Sequence, residues 1–350
     1  MKYSIIVPVY NRPDEVDELL ESLCSQTLKD FEVIIVEDGS VKPCKDVCDK
    51  YADILDLHYY SKENSGPGQS RNYGVERAEG DYVIILDSDV VLPEGYLAAV
   101  EEGVGCWVMG DSQHLTPNTH HPITAWGGPD AAHPSFTPVQ KAISYSMTSF
   151  FTTGGIRGGK AKLDKFYPRS FNMGIRRDVY LQLGGFSKIR FGEDIDFSYR
   201  IVEAGYQPRL FPDAWVWHKR RTDFRKFFRQ VYNSGIARIN LEKRHPGTMK
   251  LVHLLPMVFT LGMIGCLVMS VGCWVMGVGC WLFLIPIILY SMLIFVDSSV
   301  KNGSLWVGLL SIPAAFVQLM GYGLGFLEAW WKRCVLKQDE FTAFEKNFYK

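Results

Sequence analysis

Asp87-Ser88-Asp89 closes a run in which Tyr82-Val-Ile-Ile-Leu86 is followed at once by two carboxylates. The apolar run reads as a buried strand. Its acids then stand at the carboxyl end, where open α/β sheets bind ligands. Two carboxylates at spacing two suit a hard divalent cation that also touches substrate phosphates. A polar turn after a strand gives the same pattern, so this pair does not decide the matter by itself.

Four further groups fall at strand ends or helix starts. Pro8-Val9-Tyr10-Asn11 ends a first strand. Glu37-Asp38-Gly39-Ser40 ends a second, and an acid there can accept a hydrogen bond from a nucleobase or ribose. Gly66-Pro67-Gly68 with Arg71-Asn72 opens a helix, where backbone N–H groups and a guanidinium could meet phosphate oxygens. Gly192-Glu193-Asp194-Ile195-Asp196 opens another, although the helix dipole alone favours acids in a first turn. Arg176, Arg177 and Arg190 could add positive charge near a diphosphate, or be ordinary surface arginines.

These groups need a scaffold that brings them to one rim. Strands are expected at Tyr3–Val9, Phe31–Glu37, Leu55–Tyr60 and Tyr82–Leu86. Helices are expected at Asp14–Ser25, around Val47 and Tyr51, and at Ser70–Ala78. Strands alternating with helices imply a parallel sheet covered on both faces. Residues 111–165 are richer in Pro, Gly, His and Thr and read as loops over one end of that sheet. His120, His121 and His133 lie there, and loop histidines explain them as well as a metal site would.

The chain has 350 residues, 47% of them hydrophobic, and a formal net charge of -1, which gives no reason to expect nucleic acid. That average hides an asymmetry. From Leu251 to Val296, and again from Gly303 to Leu327, no Asp, Glu, Lys or Arg occurs. The first stretch is long enough for two membrane spans of about 20 residues each, broken at the glycine-rich Gly272–Gly279. Leu305–Leu327 is a third apolar segment. Asp223–Lys243 reads as a basic amphipathic helix, suited to an anionic membrane surface or to packing on a neighbouring domain. Its Lys and Arg place the preceding domain in the cytoplasm. Three full spans would put Lys332, Arg333 and Lys337 on the far side, against that rule, unless the third segment is re-entrant or interfacial. Met1-Lys2 runs directly into a strand, so no leader is expected, and the eight cysteines show no C-x-x-C pair and read as free thiols.

V-P-V-Y-N, V-E-D-G-S, G-P-G-Q-S-R-N-Y-G, L-D-S-D, F-N-M-G-I-R-R and G-E-D-I-D-F, in this order over about residues 1–220, resemble glycosyltransferase family 2. The C-terminal block with Gly321-Tyr-Gly-Leu-Gly-Phe326 resembles its membrane-anchored bacterial branch. The resemblance implies an α/β fold: a GT-A, Rossmann-like nucleotide-diphospho-sugar transferase domain followed by C-terminal transmembrane helices. The expected organisation is a transferase domain at 1–222, a basic juxtamembrane segment at 223–250, membrane helices at 251–329 and a tail at 330–350. It also implies residue roles. Asp38 would bind the nucleoside, with Pro8, Tyr10, Gly66 and Arg71 lining the donor site. Asp87 and Asp89 would hold Mn²⁺ or Mg²⁺ on the donor diphosphate, with His218 as a further metal ligand. Asn172, Met173, Gly174 and Glu193 would lie beside the donor sugar and acceptor. Asp194 would be the general base, ionised and needing no more than a modest pKa elevation.

The implied partners are a nucleotide sugar, uridine diphosphate ahead of guanosine diphosphate on family frequency, and a lipid-linked or membrane-proximal saccharide. The implied setting is a multi-pass inner-membrane protein with its catalytic domain in the cytoplasm. One base taking the proton of an acceptor hydroxyl that attacks in line inverts the anomeric centre. The family's processive synthases carry Q-x-x-R-W. Here Gln230-Val-Tyr-Asn233 lacks the Arg and Trp, so a single-sugar transferase is expected. Two other readings remain: transfer directly to polyprenyl phosphate, and an inactive transferase-like scaffold or saccharide-binding subunit.

Overall fold

A computed structural model describes residues 2–106, 123–154, 166–219, 221–275 and 281–343. His120, His121, Arg220 and the centre of the glycine-rich break lie outside them. Two compact units are formed. Unit 1 is Met1–His133 with Leu163–Lys219, and unit 2 is Pro134–Lys162 with Arg220–Lys350.

In chain order the first elements are β1 (Tyr3–Val9), α1 (Pro13–Cys24), β2 (Phe31–Asp38), α2 (Lys45–Asp49), β3 (Leu57–Lys62), α3 (Pro67–Val75), β4 (Tyr82–Leu86) and β5 (Val90–Val91). Then come α4 (Tyr96–Cys106), β6 (Ala125–Gly127), β7 (Asp130–Ala131), α5 (Pro138–Thr148), α6 (Phe150–Thr153) and β8 (Asn172–Arg176). The rest are α7 (Arg177–Gln182), α8 (Glu193–Glu203), β9 (Arg209–Leu210), β10 (Val216–His218), α9 (Phe224–Arg244), α10 (Leu255–Val275), α11 (Ile285–Asn302) and α12 (Leu305–Trp330).

Among the described residues, unit 1 holds a seven-stranded sheet of order β3-β2-β1-β4-β8-β6-β9 and a small sheet of order β5-β10-β7. β3, β2, β1 and β4 run parallel, and β8 lies antiparallel to β4. Burial on both faces explains the unbroken apolar runs. Alternate residues enter opposite cores: Ile5, Val7, Val33, Ile35, Ile84 and Leu86 on one face, and Ile6, Ile34, Val36, Val83 and Ile85 on the other. Gly174 lets β8 lie under an indole, since a Cβ there would come within 2.0 Å of the Trp126 ring.

Sequence order reverses at β1, with β2 on one side and β4 on the other. The carboxyl ends of β1 and β4 therefore flank a crevice at the switch point, the usual ligand site of such sheets.

Unit 2 is helical. Residues 138–153, read from composition as loop, are α5 and α6, opened by a Thr137/Gln140 capping box. Among the described residues, three helical stretches are long and apolar enough to cross a membrane: Leu251–Cys273, Leu282–Asn302 and Leu305–Val335. α9 is not a solitary surface helix. A Cβ on Gly235 would lie 2.1 Å from the Tyr322 carbonyl oxygen, and one on Gly325 would lie 2.0 Å from that of Tyr232, so the backbones of α9 and α12 touch.

Candidate active site

The exit of β1 turns sharply. Asn11 takes a positive φ of 56°, a conformation that Asn tolerates better than most residues. Its backbone N–H donates to Ser40 Oγ at 2.7 Å. Its side-chain oxygen accepts from the N–H groups of Val41 at 2.7 Å and Lys42 at 2.9 Å. Asn11 thus staples the exit of β1 to that of β2. The next residue, Arg12, reaches back across the crevice to donate to Asp89 Oδ2 at 2.8 Å and Glu15 Oε2 at 2.7 Å.

Asp87 and Asp89 follow β4. His218 enters from β10, which pairs with β5 so that His218 lies opposite Val90. His218 Nε2 is 3.3 Å from Asp89 Oδ1, and Nδ1 is 3.8 Å from Asp130 Oδ2. The imidazole stacks on Phe171 at a centroid distance of 5.0 Å. One ligand atom from each of Asp87, Asp89 and His218 lies within 4.8 Å of the others. Two carboxylates and an imidazole around one point fit Mn²⁺ well and Mg²⁺ through the oxygens. That Arg12 already sits against Asp89 shows the same spot attracting positive charge.

Arg71 joins this cluster to α8. Buried to 3% exposure, it donates to Asp87 Oδ1 at 2.7 Å and to Glu193 Oε1 at 3.0 Å. Its Nε has no hydrogen-bond partner among the described residues. Phosphate contact was expected of Arg71; here it bridges two acids. Burial, helped by neighbouring Asp194 and opposed by Arg71, pushes the Glu193 carboxyl up to about 7.

Asp194 turns the other way. Arg169 Nε donates to Asp194 Oδ2 at 2.5 Å, and the Ile195 N–H donates to Oδ1 at 2.9 Å. Burial works to raise this carboxyl, but the charge and hydrogen bond of Arg169 prevail and hold it below the usual range. The modest elevation expected from sequence is therefore reversed in sign. Adjacent acids at a helix start face different partners, as side-chain directions on a helix require.

The remaining expected residues have structural work. Asp38, 3% exposed, accepts from the N–H groups of Ser65 and Gly66, each at 2.9 Å, and from Lys62 Nζ at 2.5 Å. The Gly66 N–H, one of the helix-start groups read as phosphate donors, is thus turned onto Asp38, which shapes the loop into α3. Asn172 donates to the Ala214 carbonyl at 2.8 Å and accepts from Tyr96 OH at 2.7 Å. Met173 is in the core, and Gly174 makes room for Trp126. Pro8 is buried within β1, and Tyr10 is half-buried at its exit. Arg176 is bonded to Asp178. The structure brings Asp87, Asp89, His218, Arg71 and Glu193 into one connected group. It leaves Asn172, Met173 and Gly174 inside the fold. Arg12, Lys62 and Arg169 were missed by sequence reading. No periodicity marks them, although Arg12 directly follows the Tyr10-Asn11 motif.

Residues 4–102 match the family described as Glycosyl transferase family 2. An uncharacterized glycosyltransferase of Rickettsia felis is 40% identical over 88 residues, 25% of this chain and 15% of that protein. A pre-mycofactocin glycosyltransferase of Mycobacterium tuberculosis is 26% identical over 255 residues, 69% of this chain and 48% of its own length. The chain thus spans half or less of these relatives. Among solved structures, a mannosyltransferase from Pyrobaculum calidifontis in complex with GDP-Man and Mn²⁺ aligns with a TM-score of 0.59 at 17% identity, over 91% of this chain and 87% of that one. Residues 4–102 thus match the family 2 glycosyltransferase model, and the chain shares the fold of the Pyrobaculum structure, with long apolar helices at its C-terminal end.

Proposed function

We propose that the chain is an inverting, metal-dependent, single-sugar glycosyltransferase. It uses a nucleotide-sugar donor and a lipid-linked or membrane-proximal saccharide acceptor. It works at the inner membrane, with unit 1 in the cytoplasm. The observation that carries this is the convergence of Asp87, Asp89 and His218 to within 4.8 Å at the sheet's switch point, tied through Arg71 to the first acid of α8. The relatives' activities and the neighbour that holds a nucleotide sugar with Mn²⁺ support it.

Asp87, Asp89 and His218 would hold the divalent ion. When bound, it neutralises charge on the departing diphosphate without moving a proton. Arg71 fixes the direction of Asp87 and Glu193. Asp194, kept ionised by Arg169, accepts the proton of the acceptor hydroxyl at its carboxylate. Apolar helices after α9 keep the domain where lipid-linked acceptors are.

Calorimetric titration of the full chain with Mn²⁺ alone, followed by a donor screen with transfer assays, tests this. Asp89→Ala should abolish Mn²⁺ binding. Arg12→Ala, which removes a competing cation from Asp89, should tighten it roughly tenfold, equivalent to about 1.4 kcal/mol. Asp194→Asn should leave metal and donor binding intact and lower kcat by about a hundredfold or more. Full transfer activity in both Asp89→Ala and Asp194→Asn would refute the assignment.

A further inference from the structure

Three consecutive crossings by α10, α11 and α12 would place the end of α12 on the opposite face of the bilayer from the start of α10. The packing within unit 2 puts those two ends together. Phe326 and Ala329 of α12 share a cluster with Ile236 and Ile239 of α9, with Leu254 and Met257 at the start of α10 packed against it. Lys243 Nζ donates to the Arg333 carbonyl at 2.6 Å, Arg244 bonds Glu340 at 2.7 Å, and Asn233 accepts from the Ala343 N–H at 2.9 Å. α9 carries Arg225, Lys226, Arg229, Arg238, Glu242, Lys243 and Arg244 in a single helix, too many charges for a crossing segment. The end of α12 and the tail thus lie on the side of α9.

The start of α12 is on that side too. Tyr145 of α5 donates to Asp297 near the end of α11 at 2.6 Å, and Lys301 lies 5.7 Å from the Tyr145 ring centroid. α5 belongs to a short segment, Pro134–Lys162, that leaves unit 1 and returns to it. A segment of that length cannot cross a bilayer twice, since each crossing needs about 20 residues. The end of α11 is therefore on the side of α9, and α12 begins three residues later.

Along α12 the partners change in a way that fits a helix lying across the other two. Gly308 meets Ser299 and the Phe295 carbonyl, and Ser311 meets Ser298. Phe316 meets both Tyr290 and Phe259. Thr260 meets the Leu319 carbonyl, and Gly323 meets Pro256. From Phe316 onward α12 runs back toward the start of α10. Phe259 lies about 12 Å from Leu251 at 1.5 Å per residue, less than half of a hydrocarbon core about 30 Å thick. Beyond it, Gly262, Gly265 and Gly272 face nothing within 4 Å among the described residues.

We propose that α10 and α11 are the membrane-crossing pair, and that α12 lies across their near ends in the interface without crossing. Its exposed Trp306, Trp330 and Trp331 then sit at a single lipid–water boundary. Lys332, Arg333 and Lys337 fall on the same face as the basic α9, which removes the conflict that three crossings create. This inference does not depend on the enzymatic reading.

The test is labelling of the full-length chain with a membrane-impermeant maleimide, in sealed vesicles of each orientation, with sites located by mass spectrometry. The native, exposed Cys334 reports the end of α12 and needs no substitution there. Lys301→Cys reports the end of α11. Lys45→Cys, on an exposed helix of unit 1, marks the face from which the chain enters α9. All three should react from one and the same face. Cys334 reacting from the opposite face, or from neither face until the protein is denatured, overturns the proposal. So does Lys301→Cys reacting from the opposite face, because α11 rather than α12 would then be the helix that fails to cross.

Discussion

Two forces oppose each other at Asp194. Burial raises its carboxyl and the Arg169 guanidinium lowers it, with the guanidinium prevailing. The acid accordingly stays charged through neutrality, as the proton acceptor proposed above must. In Arg169→Gln the strongest opposing group is lost, leaving only Arg71 and the Ile195 N–H against burial, so the carboxyl rises. A group whose folded value is depressed contributes stability above its unfolded value and loses it as pH falls through the folded one. The variant lacks that contribution, and its base is protonated over a wider acidic range. The acidic limb of kcat/KM should move to higher pH by roughly one to two units, with donor KM nearly unchanged. An unmoved limb would mean that Asp194 is not the titrating base. Glu193 is set apart from it: its carboxyl is raised to about 7 and held by Arg71. Burial raises one acid of the pair while Arg169 lowers the other, so the two sit in different electrostatic settings.

At the scale of elements, glycine placement decides how closely α9 and α12 approach. Gly235 faces the Tyr322 carbonyl and Gly325 faces the Tyr232 carbonyl. Gly235→Leu forces these backbones apart and should cost about 1–3 kcal/mol or more, read as a lower Tm of the detergent-solubilised chain. Gly262→Ala meets nothing within 4 Å and should be neutral or slightly stabilising. Equal losses in both variants would show that the contact is not specific. Elements were legible in the sequence where burial is two-sided. β1, β2 and β4 announce themselves as apolar runs, and the acids at their ends mark the rim. The third strand lies two residues later than its apolar content suggests, because pairing with β2 sets its limits at Leu57–Lys62. α5 was hidden because its apolar face answers to α12, far along the chain. The Asn172–Gly174 segment resembles a family motif, yet Asn172 is bonded to Ala214 and Tyr96, and Gly174 makes room for the Trp126 ring. Arg12, Lys62 and Arg169 make contacts that depend on three-dimensional register, and nothing local encodes them.

For the whole molecule, two cores of different kind predict two thermal transitions. Unit 1 has a core of the soluble type, made of sheet and covering helices. Unit 2 leaves much of α10 and α11 apolar and exposed, so its stability depends on detergent or lipid. A ligand that binds only the native state of one unit stabilises that unit by RT ln(1 + [L]/Kd), about 2.7 kcal/mol at a hundredfold excess over Kd. For a domain of the size of unit 1 this corresponds to a rise of roughly 5–10 °C. Scanning calorimetry of the full chain with Mn²⁺ and its nucleotide sugar should move one transition by that amount and leave the other in place. Exchanging one detergent for a longer-chain one should do the converse. If ligand moves both transitions together, the units unfold as one, and the proposed division of labour between a metal-binding unit 1 and a membrane-held unit 2 is wrong. If ligand moves only the detergent-sensitive transition, the donor site is not at the end of β4. The expected pattern follows from placement alone. Every residue assigned to metal, donor or base lies in unit 1, and every apolar crossing candidate lies in unit 2.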